Sequence, residues 1–437
     1  TRYEFAAGLN ACLDRVNELI RTATDNLVSR EDLATLQRLQ EEFSAELATL
    51  RGRVDALEAR TAELEANQFS TTAKLKGEVI FALSQAFGEE VAGTNDDLET
   101  NTTFTDRVRL NFDSSFTGKD KLRVRLQARN VTQFNTDVTG TNMTRLGFDG
   151  EDGNDVEIEE LWYEFPLGDA LKVHIDANDG GYNDNLNNFN PAFASSGSGA
   201  ISRYGRFSPI YRQGGGAGAT LTFAPKSPIS ASVGYLAEDN SNPNAGFGAF
   251  SGSYAAIGQI NFQPSDTFGV GFTYARTYQN NEGGVNLFDS TGSALANRPF
   301  GNVATTANHY GIQALVSPSS KFALSGWAGY SDANAKAGGV GVEGSDAEMF
   351  YWAASLALRD LGTKGSTLGV IFGQPPKVTE SDLAEDDDTS YHLEALYKLP
   401  INDNIAITPG VLVIFNPEHD NGNDTIYVGT LRTTFKF

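Results

Sequence analysis

Hydrophobic positions in this chain follow two periods that meet near residue 70. From about residue 31 the spacing alternates three and four through Leu33, Leu36, Gln40, Phe43, Leu47, Leu50, Val54, Leu57, Thr61, Leu64 and Gln68. That pattern predicts a coiled coil with Leu36, Phe43, Leu47, Leu50, Val54, Leu57 and Leu64 in its seam. Gln40, Thr61 and Gln68 interrupt the seam at the first heptad position, which lowers stability and fixes register and strand number. Glu46 with Arg51, Arg53 with Glu58 and Arg60 with Glu65 are of opposite sign in the geometry of neighbouring parallel helices. Three such pairs in register count against the alternative, one amphipathic helix lying on a globular domain. The stalk would be on the order of 50 Å long at about 1.5 Å per residue.

After Phe69 the period becomes two. Val108, Leu110 and Phe112 alternate with Arg107, Arg109, Asn111 and Asp113. Leu122, Val124, Leu126 and Ala128 alternate with Arg123, Arg125, Gln127 and Arg129, and Leu171, Val173 and Ile175 with Lys172, His174 and Asp176. These are strands with one apolar and one polar face.

Short polar turns are expected near Gly118, Gly168, Lys226, Ser265, Ser319, Gly362 and Asn402. Between them fall longer loops at about 87–101, 134–154, 181–213, 239–252, 281–304, 334–347, 374–387 and 417–423. Seven turns and eight loops join about sixteen strands, an even number, as in barrels with short periplasmic turns and long external loops. The expected fold is therefore an all-β transmembrane barrel of about 16 antiparallel strands, preceded by an α-helical coiled-coil stalk. The first connection is long, so the first strand starts in the periplasm and the stalk is expected there too. The chain divides into 1–30, 31–70 and 71–437. Aromatics near turns, such as Phe262, Phe268, Phe322 and Tyr397, fit interfacial girdles.

Composition narrows the function. No run of ~18 apolar residues occurs, so a transmembrane helix is excluded. A mean hydropathy of -0.31 leaves a barrel open, because alternating strands vanish in an average. The net charge of -23 argues against nucleic acid, whose phosphates need a basic footprint. The lone cysteine, Cys12, allows no internal disulfide and is expected as a small buried hydrophobe. No signal peptide is visible, and Thr1 falls inside a helical motif, so a processed or partial chain is expected. The acid-rich loops around Asp96, Asp149 and Glu385 match no calcium-loop spacing, and neither metal nor cofactor is expected.

The run Thr1-Arg2-Tyr3-Glu4-Phe5-Ala6-Ala7 resembles the last helix of a surface-layer-homology module. Together with the stretch Arg30 to Phe43, the barrel entry Thr72-Ala73-Lys74-Leu75-Lys76-Gly77-Glu78-Val79 and a final strand ending in Phe437, it makes the whole chain resemble the cyanobacterial outer-membrane porins of the OprB type, carbohydrate-selective or iron-uptake porins. The resemblance implies a homotrimer in outer-membrane lipid, passing small solutes and ions without energy. It also implies a surface-layer-homology module gripping peptidoglycan-linked polysaccharide, with Arg2 as a glycan contact. Most of that module does not match here, which puts glycan binding by these residues in doubt.

Arginines on the polar faces must point to the lumen, since each would cost about 2–4 kcal/mol near the lipid midplane. Arg107, Arg109, Arg123, Arg125 and Arg129 meet this condition. The long loop 181–213 adds Arg203, Arg206 and Arg212 and is long enough to fold inward as a constriction. These eight arginines would make the constriction electropositive, unless they only pair with lumen acids such as Glu157, Glu159 and Asp176. The four histidines, His174, His309, His392 and His419, sit in no catalytic motif, so an enzyme is not expected. The serious alternative to a pore is a structural tether between membrane and wall with little channel activity.

Overall fold

The computed structural model describes residues 2–24, 30–67, 73–336 and 341–437, with the side chains of 30, 59 and 61–67 excepted. The seam positions Thr61, Leu64 and Gln68 and the partner Glu65 lie outside the described side chains. Contacts divide the chain into two compact units, Thr1–Thr71 and Thr72–Phe437.

The first unit holds helix α1 (Arg2–Thr24) and helix α2 (Arg30–Asn67). Glu31 and Asp32 occupy the first turn of α2, where negative charge suits the helix dipole. Leu36, Phe43, Leu47, Leu50, Val54 and Leu57 are all exposed along it. Cys12 departs from expectation: it is exposed, because no residue of α1 is buried in the single chain. Arg2 is likewise exposed. Among the described residues no helix is long and apolar enough to cross a membrane.

The second unit is a closed antiparallel barrel. Its strands are β1 (Ala73–Phe87), β2 (Thr103–Ser114), β3 (Lys121–Val131), β4 (Glu157–Leu167), β5 (Leu171–Asn178), β6 (Ala217–Phe223), β7 (Ile229–Ala237) and β8 (Tyr254–Ser265). The circuit continues through β9 (Phe268–Gln279), β10 (Thr305–Ser319), β11 (Phe322–Ala335), β12 (Asp346–Arg359), β13 (Thr367–Ser381), β14 (Tyr391–Pro400), β15 (Ile405–Phe415) and β16 (Ile426–Lys436). A two-residue strand, Gly150–Glu151, pairs with the end of β3. Each strand bonds to its sequence neighbours, and β1 closes the circuit: Ile80 stands opposite Arg107 of β2 and Thr434 of β16. Closure leaves no unpaired edge, which is what permits a sheet to stand in lipid.

Alternation sorts the side chains. On β16, Val428, Thr430, Arg432 and Thr434 are buried on the lumen side, while Tyr427 and Leu431 face outward and are exposed. Phe262 and Phe268 meet edge to face across the β8–β9 turn with ring centroids 6.3 Å apart. The short turns are locally specified. In the β2–β3 turn the Asp120 carboxylate accepts the N–H groups of Phe116 and Thr117 at 3.1 and 2.7 Å. Gly118 supplies the positive φ of 76° there.

Candidate constriction site

The longest connection, residues 179–216, does not project into water. It turns inward, because its apolar side chains need cover: Tyr182, Phe189, Phe193, Ile201, Tyr204 and Ile210 are all buried. Glycines in the wall make room for it. A Cβ on Gly271 would overlap the ring of Phe189, and one on Gly369 the ring of Phe193. Polar clamps complete the attachment. Arg432 of β16 donates to the backbone carbonyls of Ser196, Ala200 and Gly199 at 3.0, 3.1 and 2.6 Å. Tyr204 donates its hydroxyl toward the carbonyls of Trp352 and Gln374 at 2.8 and 2.7 Å. The loop thus crosses from β5 to the opposite wall.

What the loop leaves open is a polar cavity of about 620 Å³ followed by a smaller one of about 260 Å³. Five residues line both and so mark the throat between them: Arg109, Arg125, Asn183, Asp184 and Arg206. Arg107, Arg129, Arg203 and Arg212 line the larger cavity, together with Arg145 and Arg298, which the sequence reading did not single out. Arg123 is elsewhere. It sits two residues from the start of β3, bonded to Asp113 at 2.7 and 3.0 Å, with its guanidinium 5.1 Å from the Trp162 ring centre.

Most of these cations meet carboxylates. Arg107, only 2% exposed, bonds Glu78 at 3.0 Å. Arg109 and Arg125 share Glu159 at 2.5 and 3.0 Å, and Arg125 also pairs with Glu160. Arg129 bonds Asp152 at 2.8 Å and Arg145 bonds Asp149 at 2.9 Å. Arg203 pairs with Asp289 of loop 280–304, which also takes Arg212 at 3.3 Å. Of the three acids first considered as partners, only Glu159 meets an arginine here. Asp176 bonds His174 at 3.1 Å, and Glu157 is exposed.

Arg206 differs. Its guanidinium donates to the backbone carbonyls of Ala194 and Gly147 at 2.9 and 3.4 Å, and it makes no ion pair among the described residues. Burial, with Asp184 opposing, pulls its guanidinium down to about 10, so it stays charged at neutral pH. Burial would raise Asp289, but Arg203, Arg212 and Arg145 outweigh it and hold the carboxyl below its ordinary range. Asp179 is pushed up to about 6 by burial and then by the charges of Glu159 and Asp289. The cavity wall therefore carries strong donors and strong acceptors side by side. Among the described residues no cluster of three or more His, Cys, Asp or Glu is placed to hold a metal.

Known proteins resemble the chain over most of its length. Residues 30–437 match the family described as "Carbohydrate-selective porin, OprB family". An uncharacterized protein of Nostoc sp. is 46% identical over 462 residues, spanning 100% of this chain and 78% of its own length. An uncharacterized protein of Synechocystis sp. is 41% identical over 454 residues, spanning 100% of this chain and 82% of its own. Among solved structures, OprB of Pseudomonas putida superposes with a TM-score of 0.57 at 12% identity, over 86% of this chain and 96% of that one. A loop-deletion mutant of OmpT, an outer membrane protein of Vibrio cholerae, gives 0.54 at 8%, over 84% and 99%. At such identities the likeness is one of fold.

Proposed function

Because this chain belongs to the OprB family of carbohydrate-selective porins, and is thus an outer-membrane channel rather than an enzyme, we propose that it passes small hydrophilic solutes and inorganic ions passively through the throat at Arg109, Arg125, Asn183, Asp184 and Arg206. One observation carries this reading: the inward loop narrows the lumen to two connected polar cavities without filling it. A polyol hydroxyl both donates and accepts, and a wall alternating guanidinium and carboxylate can replace its lost water on both counts. Nine arginines line the larger cavity against seven carboxylates, an excess that favours small anions over cations, and Arg206 at the throat makes no ion pair.

In this reading α2 forms a parallel three-stranded coiled coil in the periplasm, and the protein is a homotrimer. The exposed heptad leucines of α2 support that association, Leu47 being 65% exposed in the single chain. A surface-layer-homology module whose tail is α1, with Arg2 as its glycan contact, would tie the barrel to peptidoglycan-linked polysaccharide. The tether and the channel are compatible, and the open throat favours both over a tether alone.

Reconstitution into planar bilayers and liposomes tests the proposal. We expect discrete conductance steps, a reversal potential in a KCl gradient on the anion-selective side, and swelling in monosaccharides. A barrel that inserts yet shows neither conductance nor swelling contradicts the channel and leaves the tether.

A further inference from the structure

The charges of the barrel are segregated along the pore axis. At the rim of short turns, cations stand on the lumen face of the strand ends. Lys76 shares the face of Glu78, Lys121 that of Arg123, Lys172 that of His174, Lys398 that of Glu394 and Lys436 that of Arg432. Arg359 joins them at the end of β12. Some are offset: Lys76 and Lys121 lie 3.2 and 3.5 Å from Asp113, Lys172 lies 2.9 Å from Glu164, and Lys436 lies 3.9 Å from Glu78. Asp113 and Glu78 are each shared with an arginine as well, so the ring keeps a positive excess. Among the described residues Arg359 and Lys398 make no ion pair.

At the opposite rim the long loops carry the reverse sign. Asp96, Asp97, Glu99, Asp382, Glu385 and Asp387 are all exposed there. Of the formal net charge of -23, residues 1–71 account for -5, with eight basic against thirteen acidic residues; in the barrel, exposed carboxylates crowd the loop mouth while the lumen face of the turn mouth is basic.

We propose, on the reading that the barrel conducts, that this polarity makes the pore an ionic rectifier, passing more current when the loop side is positive than when it is negative. The physics needs only the two rims. Fixed carboxylates enrich cations at the loop mouth, and fixed ammonium groups enrich anions at the turn mouth, each within a screening length of about 10 Å at 0.1 M salt. A voltage positive on the loop side drives both populations inward, so carriers accumulate at the throat and conductance rises. The opposite sign draws both populations outward and depletes it. The device needs no moving part, because the charges are fixed on strand ends and loops.

Single-channel recording of the full chain in symmetrical KCl tests this. Orientation is read for each channel by streptavidin bound to biotin at Ser241→Cys in a Cys12→Ser background, Ser241 being an exposed loop position. We expect a current ratio between equal and opposite voltages of roughly two in ~0.01 M salt, where the screening length is about 30 Å, falling to one in ~1 M, where it is about 3 Å. Replacing Lys76, Lys398 and Lys436 together by Gln should bring the dilute-salt ratio toward one. Replacing Asp382, Glu385 and Asp387 by the corresponding amides should do so independently, the amide at 382 keeping an oxygen to accept the N–H of Asp346 at the start of β12. Equal currents in dilute salt, a ratio of the opposite sense, or a ratio unchanged in both variants would overturn the rectifier and leave the channel standing. Failure to conduct in any salt would instead remove the channel reading beneath it.

Discussion

Glu394, on the lumen face of β14, accepts the backbone N–H of Ile201 in the inward loop at 2.6 Å. The same carboxylate accepts the Ser202 N–H at 3.2 Å and the Ser202 hydroxyl, and its side chain is fully buried. A buried charge is tolerated when strong donors surround it, and these donors belong to the segment that shapes the throat.

Removing that anchor should loosen the loop. Glu394→Ala leaves two buried N–H groups without an acceptor, at roughly 1–3 kcal/mol each. We expect a barrel that still assembles but opens noisily, with conductance fluctuating above the parent level. Glu394→Gln keeps one acceptor oxygen and should be milder. Quiet, unchanged channels in the alanine variant would mean that the apolar contacts of Phe189, Phe193 and Ile210 hold the loop alone.

Throat selectivity is open to a paired test. A unit charge about 6 Å from a permeating ion in water-like surroundings is worth roughly 0.7 kcal/mol, or about threefold in permeability ratio. Arg206→Gln should shift the reversal potential toward cations by about that factor, and Asp184→Asn toward anions. Replacing Arg107, Arg109 and Arg125 by Gln should move it toward cations as well, while Arg123→Gln alone, away from both cavities, should move it little. Equal reversal potentials in Arg206→Gln and the parent would place selectivity outside the throat.

Much of this was legible in the chain. The period-two runs and the alternation of short turns with long loops specify sixteen strands, because a barrel wall forces apolar and polar residues to opposite faces. The same alternation puts Arg107, Arg109, Arg123, Arg125 and Arg129 toward the lumen. Height along the strand is legible too and separates Arg123 from the rest: it is two residues from the start of β3, too near the turn to reach the throat. Carboxylate partners brought from distant loops, such as Asp289 for Arg203, leave no local trace. Glu394 and Arg432 do leave one, as charged residues in the middle of the inward faces of β14 and β16.

Closure of the barrel should depend on a notch at Gly77. Its N–H and C=O exchange bonds with Phe437 at 2.7 and 3.1 Å, and the phenyl ring occupies the space a Cβ on Gly77 would take. Gly77→Val should therefore destabilise by about 1–3 kcal/mol through overpacking. The change should appear as a lower temperature of band shift on semi-native gels. Adding Phe437→Ala should recover part of it. No change in Gly77→Val would show that the ring finds another site at no cost.

Three loops meet at Glu418, which accepts from the Thr141 hydroxyl and the Ala294 N–H, both at 2.5 Å. Burial, followed at some remove by Asp386, pushes Glu418 up to about 7. Burial pushes Asp386 itself up to about 6 against the bonds from Val378 and Ser293, with Lys377 opposing and Asp387 assisting. A raised carboxyl favours its neutral form, so this contribution is full below the ordinary value near 4.5 and is lost as pH rises toward 7. Neighbouring His419 is pulled down to about 4 by burial, so its contribution is full above about 6.5 and is lost as pH falls toward 4. Asp386 gives up its own contribution between its ordinary value near 3.8 and about 6, so the two carboxyls together outweigh the histidine and the loops should loosen as pH rises from about 4.5 to 7. Amide exchange in 139–145, 291–297 and 386–390, corrected for intrinsic rates, should quicken over that range, and Glu418→Gln should flatten the rise. Exchange independent of pH across this range would contradict the assignment.

If the barrel conducts as proposed, solutes pass through the gap left by the inward loop. Asn183 lines both cavities at that gap. The direct measurement is the current through Asn183→Cys, in a Cys12→Ser background, before and after reaction with a bulky water-soluble thiol reagent, with labelling verified by mass. We expect loss of most of the current on labelling and none in the Cys12→Ser parent. Full current through a completely labelled channel would place the conducting path elsewhere.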